Sequence, residues 1–80
     1  MQMDDYERAK NSFISAHEVD PHSVDSNHNL GVVYGREEEF EIAERFFRRA
    51  LEIKADHISS ITALASILTI QERHNEAFEL

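Results

Sequence analysis

The sequence predicts an all-α fold made of antiparallel helix pairs that repeat along the chain, about five helices in all. Three observations carry that expectation. The chain is 41% apolar and 30% charged with only two glycines and one proline, the balance of a helix-rich globular protein and not of a disordered tail. Apolar residues fall at helical spacing, as in Tyr6, Ala9, Phe13 and Ala16. Sliding the sequence against itself by 34 residues aligns Ala9 with Ala43 and Ala77, Phe13 with Phe47, Ala16 with Ala50 and Val19 with Ile53. The same offset pairs Tyr6 with Phe40, Leu30 with Leu64, Gly31 with Ala65 and Tyr34 with Leu68. A fixed period of this size marks stacked units, none of which buries its apolar face alone.

The elements follow in order. A first helix spans about Asp4 to Val19 and stops at Asp20-Pro21, because the residue before a proline is pushed out of the α region. Ser23 caps a second helix that runs to about Arg36, with Asn27, Leu30, Gly31 and Tyr34 inward. After the polar Arg36-Glu37-Glu38-Glu39 turn, a third helix covers about Phe40 to Lys54 with Ala43, Phe47, Ala50 and Ile53 on its stripe. Glu41 with Arg45 and Glu44 with Arg48 are placed for i,i+4 ion pairs. Asp56 is the expected cap of a fourth helix, about Ile58 to Ile70, with Ile61, Leu64, Ala65 and Leu68 on one face. A fifth begins near His74. Gly31 and Ala65, with Ala43, Ala50 and Ala77, are small where helices cross. Phe13, Tyr34 and Phe47 fill the space beside them, and Phe46 is expected to contact the following unit.

Composition also narrows the function. With no cysteine, neither disulfides nor Cys-based zinc sites are available. A net charge of -8 opposes the counterion release that drives nucleic-acid binding and disfavours anionic membranes. The opening Met1-Gln2-Met3-Asp4-Asp5 has neither a basic nor an apolar targeting region, which points to a soluble, cytoplasmic protein. His17, His22, His28, His57 and His74 form no metal-ligand spacing, the Glu37-Glu38-Glu39 run is a solvated turn, and no nucleophile motif or phosphate loop occurs. No metal, no cofactor and no catalysis are expected.

One stretch resembles a known family. Val24 to His57 contains Leu30-Gly31-x2-Tyr34 and then Ala43-x3-Phe47, similar to the W-x2-L-G-x2-Y and A-x3-F elements of the 34-residue tetratricopeptide repeat. Asp20-Pro21 resembles the ending of a preceding unit. On this resemblance residues 1–23 are the second helix of a partial repeat, 24–57 a complete repeat and 58–80 a truncated one, stacked as a right-handed α-α superhelix. Asn27 stands where the family has Trp, Ala55 where it has Pro, and Glu38 and Glu72 where it often turns on Gly.

The resemblance implies a scaffold or adaptor that holds a peptide or helix of a partner in a concave groove lined by first helices. It nominates Asp25, His28, Asn29, Val32, Gly35 and Arg36 from one unit and Ser59, Thr62, Ser66 and Thr69 from the next. Of the family's carboxylate-clamp residues only Asn29 is matched, so a neutral or basic protein partner is expected, with no nucleic acid and no membrane. The alternative is a structural segment that forms homodimers through uncapped ends, since solenoids need capping units.

Overall fold

The computed structural model describes residues 3–79, with side chains described over 5–73. Four helices follow one another: α1 (Met3–Val19), α2 (Val24–Arg36), α3 (Phe40–Ile53) and α4 (Ile58–Glu79). The described residues contain no strand, and the expected all-α helix-pair architecture is observed. The count differs at the end. α4 runs unbroken to Glu79, so no separate fifth helix starts near His74, and Glu72 lies within a helix instead of at a turn. The reason is legible in the residues: Gln71 to Glu79 contains neither glycine nor proline to stop the helix.

The turns on either side of α2 cap its ends. α1 ends at Asp20-Pro21, and Ser23 caps α2 by accepting a hydrogen bond from the Ser26 amide at 3.2 Å. Asn27, in the place of the family's Trp, is buried, and its Nδ2 donates to the carbonyls of Pro21 (3.0 Å) and Ser23 (2.8 Å). A polar staple thus holds the α1–α2 turn where the repeat usually packs an indole. α2 ends in a Schellman turn: the Glu39 amide donates to Tyr34 at 2.9 Å and the Glu38 amide to Gly35 at 3.1 Å. Glu38 adopts φ 62°, the left-handed conformation that glycine enters freely. At α4 the capping position belongs to His57 and not to Asp56, since the amides of Ser60 and Ile61 both donate to the His57 carbonyl.

The core lies around α3. Leu30 and Val33 of α2, Ala43, Phe47 and Ala50 of α3, and Ile67 of α4 are buried. Gly31 lets the Phe47 ring press against the α2 backbone, as its smallness foretold: an added Cβ would lie 2.6 Å from Phe47 Cε1. Ile53, expected on the α3 stripe, remains 37% exposed.

The inward face of α4 differs from the sequence reading. Ser60 and Ile67 are buried against α3 and α2, and Ala63 and Leu64 are half-buried, whereas Ile61, Ala65 and Leu68 face outward. In α2 the corresponding positions, Asn27, Gly31 and Tyr34, pack because α3 folds back on them. Among the described residues no helix folds back on α4, so only its side toward α3 is covered. Phe46 packs toward the preceding elements. It stacks on Tyr34 of α2 (5.6 Å between centroids) and meets His17 of α1 edge-on. Of the two expected ion pairs on α3, Glu44–Arg48 forms at 2.8 Å and Glu41–Arg45 does not.

Candidate functional site

The first helix of one pair, α2, lies against the first helix of the next, α4. Three side chains tie them. Ser60 Oγ sits 3.0 Å from His28 Nδ1 and 2.7 Å from His57 Nδ1. The two imidazole centroids are 5.3 Å apart, and the His28 ring leans on Phe47. One hydroxyl proton serves one imidazole, so Ser60 donates to one ring and accepts from the other, which fixes opposite tautomers. Burial, and then the neighbouring charge of His57, hold His28 below its ordinary value, with Asp25 opposing. A hydroxyl between imidazoles has the ingredients of a nucleophile pair. Ser60 is fully buried, however, and its Oγ is closed to a substrate.

The residues nominated from the sequence fall in separate places. Asn29, Val32 and Arg36 line a cleft of about 310 Å³ between α1 and α2, with Tyr6 and Lys10 on the opposite wall. Thr62, Ser66 and Thr69 share an open patch on α4, flanked by Ile61 and Ile70. Thr69 Oγ1 donates to the Ala65 carbonyl at 2.9 Å, which leaves the patch a neutral surface of small side chains. Asp25 and Ser59 are exposed near the starts of their helices, and Gly35 is half-buried beneath Ile67. His28 faces the α2–α4 junction.

One cluster was not foreseen. Glu37, read as part of a solvated turn, accepts from Lys10 Nζ (3.0 Å) and from Tyr6 Oη (3.1 Å), joining α1 to the end of α2. These hydrogen bonds hold the Glu37 carboxyl below the usual carboxylate range, the Lys10 bond above all, while Lys10 is raised by the same contact. Tyr6 is raised, first by burial and then by its bond to Glu37. The signal available in the sequence was the i,i+4 spacing of Tyr6 and Lys10, which sets a hydroxyl and an ammonium side by side on α1.

Among the described residues no group of three or more His, Cys, Asp or Glu is arranged to hold a metal ion. Among them, too, no helix is long and apolar enough to cross a membrane. An α2–α3 hairpin flanked by α1 and α4, with clefts between the elements, has the form of a helical-repeat scaffold for protein interactions. Residues 24–57 match the family described as tetratricopeptide repeat. A search of curated proteins gives no match.

Proposed function

We propose that the chain is an adaptor module that holds a neutral or basic peptide or helix of a partner protein along the exposed side of α2 and α4, without catalysing a reaction. The observation that carries this reading is the lining of those first helices. Asn29, Val32 and Arg36 border a cleft deep enough for a side chain, and Thr62, Ser66 and Thr69 offer hydroxyls without charge. Asp25 at the start of α2 and the chain's net charge of -8 favour a neutral or basic segment. The cytoplasm is the compartment that suits a cysteine-free, acidic binding module of this kind. The test compares binding of labelled neutral, basic and acidic peptides to the native chain and to the variant Val32→Arg plus Ser66→Arg. Saturable binding of a neutral or basic peptide, lost in a variant that remains helical, supports the groove; equal binding by both forms refutes it.

A second reading rests on the outward apolar side chains of α4. Ile58, Ile61 and Leu68 are 74%, 46% and 40% exposed, a strip that a second copy would cover in a homodimer. Light scattering across a concentration series separates the two: a mass that stays at 9.3 kDa rules self-association out.

A further inference from the structure

A second cleft carries aromatic and basic side chains. Between α1 and α3 an open cleft of about 550 Å³ has Tyr34, Ile42 and Phe46 among its lining, with Arg45 and Arg49 alongside. The Tyr34 and Phe46 rings stack with planes parallel within 4°, and both are only half-buried, an aromatic pair in the wall of the cleft.

The two arginines are poorly neutralised. Arg45 makes no ion pair or hydrogen bond among the described residues, although Glu41 stands one turn away. Arg49 has only a 3.8 Å contact with the exposed Glu52 and a 3.3 Å contact with His22 Nδ1, which carries no negative charge. Like charges four residues apart on a helix repel. In a chain of net charge -8 their joint placement beside a stacked aromatic pair is therefore unexplained by stability. Asn27, which also lines the cleft, keeps its Oδ1 without a hydrogen-bond partner among the described residues, an unused acceptor in the wall.

We infer that this cleft is a second protein-binding surface, one that takes an acidic peptide segment carrying an aromatic or branched apolar side chain. The apolar side chain lies on Tyr34, Ile42 and Phe46, and flanking carboxylates accept from the Arg45 and Arg49 guanidiniums, whose planar forks suit bidentate pairing. The inference is independent of the α2–α4 groove: it shares none of the groove residues Asn29, Val32, Arg36, Thr62, Ser66 and Thr69, and it selects the opposite charge.

The probe is the fluorescein-labelled peptide Asp-Glu-Asp-Phe-Glu-Asp-Leu-Glu, followed by anisotropy with the full chain. Two control peptides replace every acid by Lys, or Phe and Leu by Gly. The acidic apolar peptide is expected to bind saturably and both controls to bind at least about tenfold more weakly, since several charge contacts and the ring contacts are lost. Arg45→Glu plus Arg49→Glu is expected to weaken binding by about tenfold or more, Arg45→Lys plus Arg49→Lys to retain most of it, and Val32→Arg plus Ser66→Arg to leave it unchanged. The substituted arginines are exposed, and circular dichroism checks that each variant is folded. Equal binding of the lysine peptide, an absence of saturable binding, or a charge reversal without effect overturns the proposal. So does loss of binding in the Val32→Arg plus Ser66→Arg variant, which would locate the peptide in the groove.

Discussion

Gly31→Ala places one methyl group where the Phe47 ring already lies. An ideal Cβ at Gly31 falls 2.6, 2.7 and 2.8 Å from Phe47 Cε1, Cζ and Cδ1, so three ring atoms must move together. Phe47 is 2% exposed and fills the core, which leaves the ring little room to withdraw. Forcing a methyl into such packing costs about 1–3 kcal/mol, and contact with three atoms sets the upper part of that range. Replacing a mid-helix glycine by alanine returns about 1 kcal/mol through helix propensity, so the net loss is about 1–2 kcal/mol. For a domain of this size that lowers Tm by about 4–16 °C. Gly35→Ala is the internal control. Its Cβ would meet Ile67 Cδ1 at 3.4 Å and Ala43 Cβ at 3.9 Å, ordinary contacts, so it is neutral or raises stability by up to about 1 kcal/mol. Thermal and urea unfolding of both variants, repeated for Gly31→Ala in a Phe47→Leu background, measures the coupling directly. If Gly31→Ala is as stable as the native chain, or if Phe47→Leu does not relieve its penalty, the packing described between α2 and α3 is wrong.

Three further outcomes are expected. Phe47→Ala costs about 3–5 kcal/mol and Ala43→Leu about 1–3 kcal/mol, read from urea midpoints at unchanged m-value, because both positions are buried between helices. Glu38→Gly stabilises by about 1 kcal/mol by removing the cost of a side chain at φ 62°, and a lower Tm in that variant would deny the left-handed turn. Stability falls on acidification in two stages. His28 is held below the ordinary imidazole value of 6.5, so the unfolded chain binds its proton first; the stability is complete above 6.5 and declines as pH drops toward the folded-state value. Glu37 and Glu44 are held below 4.5, so their contribution, present above that value, is lost at still lower pH. Melting curves from pH about 7.5 to about 3 check this, and His28→Gln is expected to flatten the first stage alone.

Much of the fold was legible because its determinants are local. Asp20-Pro21 and Ser23 act within a few residues, and the Ala43, Phe47, Ala50 stripe is a periodicity that any partner helix would bury. The register of α4 was not legible in the same way. Ile61, Leu64, Ala65 and Leu68 align with buried positions of α2, but burial depends on which neighbours are present. With α3 on one side only, Ser60 and Ile67 go inward. The continuation of α4 past Glu72 was hidden for a related reason: the 34-residue offset placed a turn there, while the residues themselves favour helix. Of the candidate site, the helices and the small, uncharged lining of α4 could be read from the sequence. The i,i+4 spacing of Tyr6 and Lys10 is visible on α1, but their partner Glu37 and the His28–Ser60 contact lie 27 to 32 residues away, beyond any single-helix pattern.

The central claim is that partners are held by the first helices, α2 and α4. Backbone-amide chemical-shift mapping of the labelled chain, titrated with a neutral or basic peptide that binds it, tests this most directly. The account predicts that perturbations concentrate at Asn29, Val32, Arg36, Thr62, Ser66 and Thr69. Perturbations confined to α1 and α3, with those six amides unmoved, would contradict it.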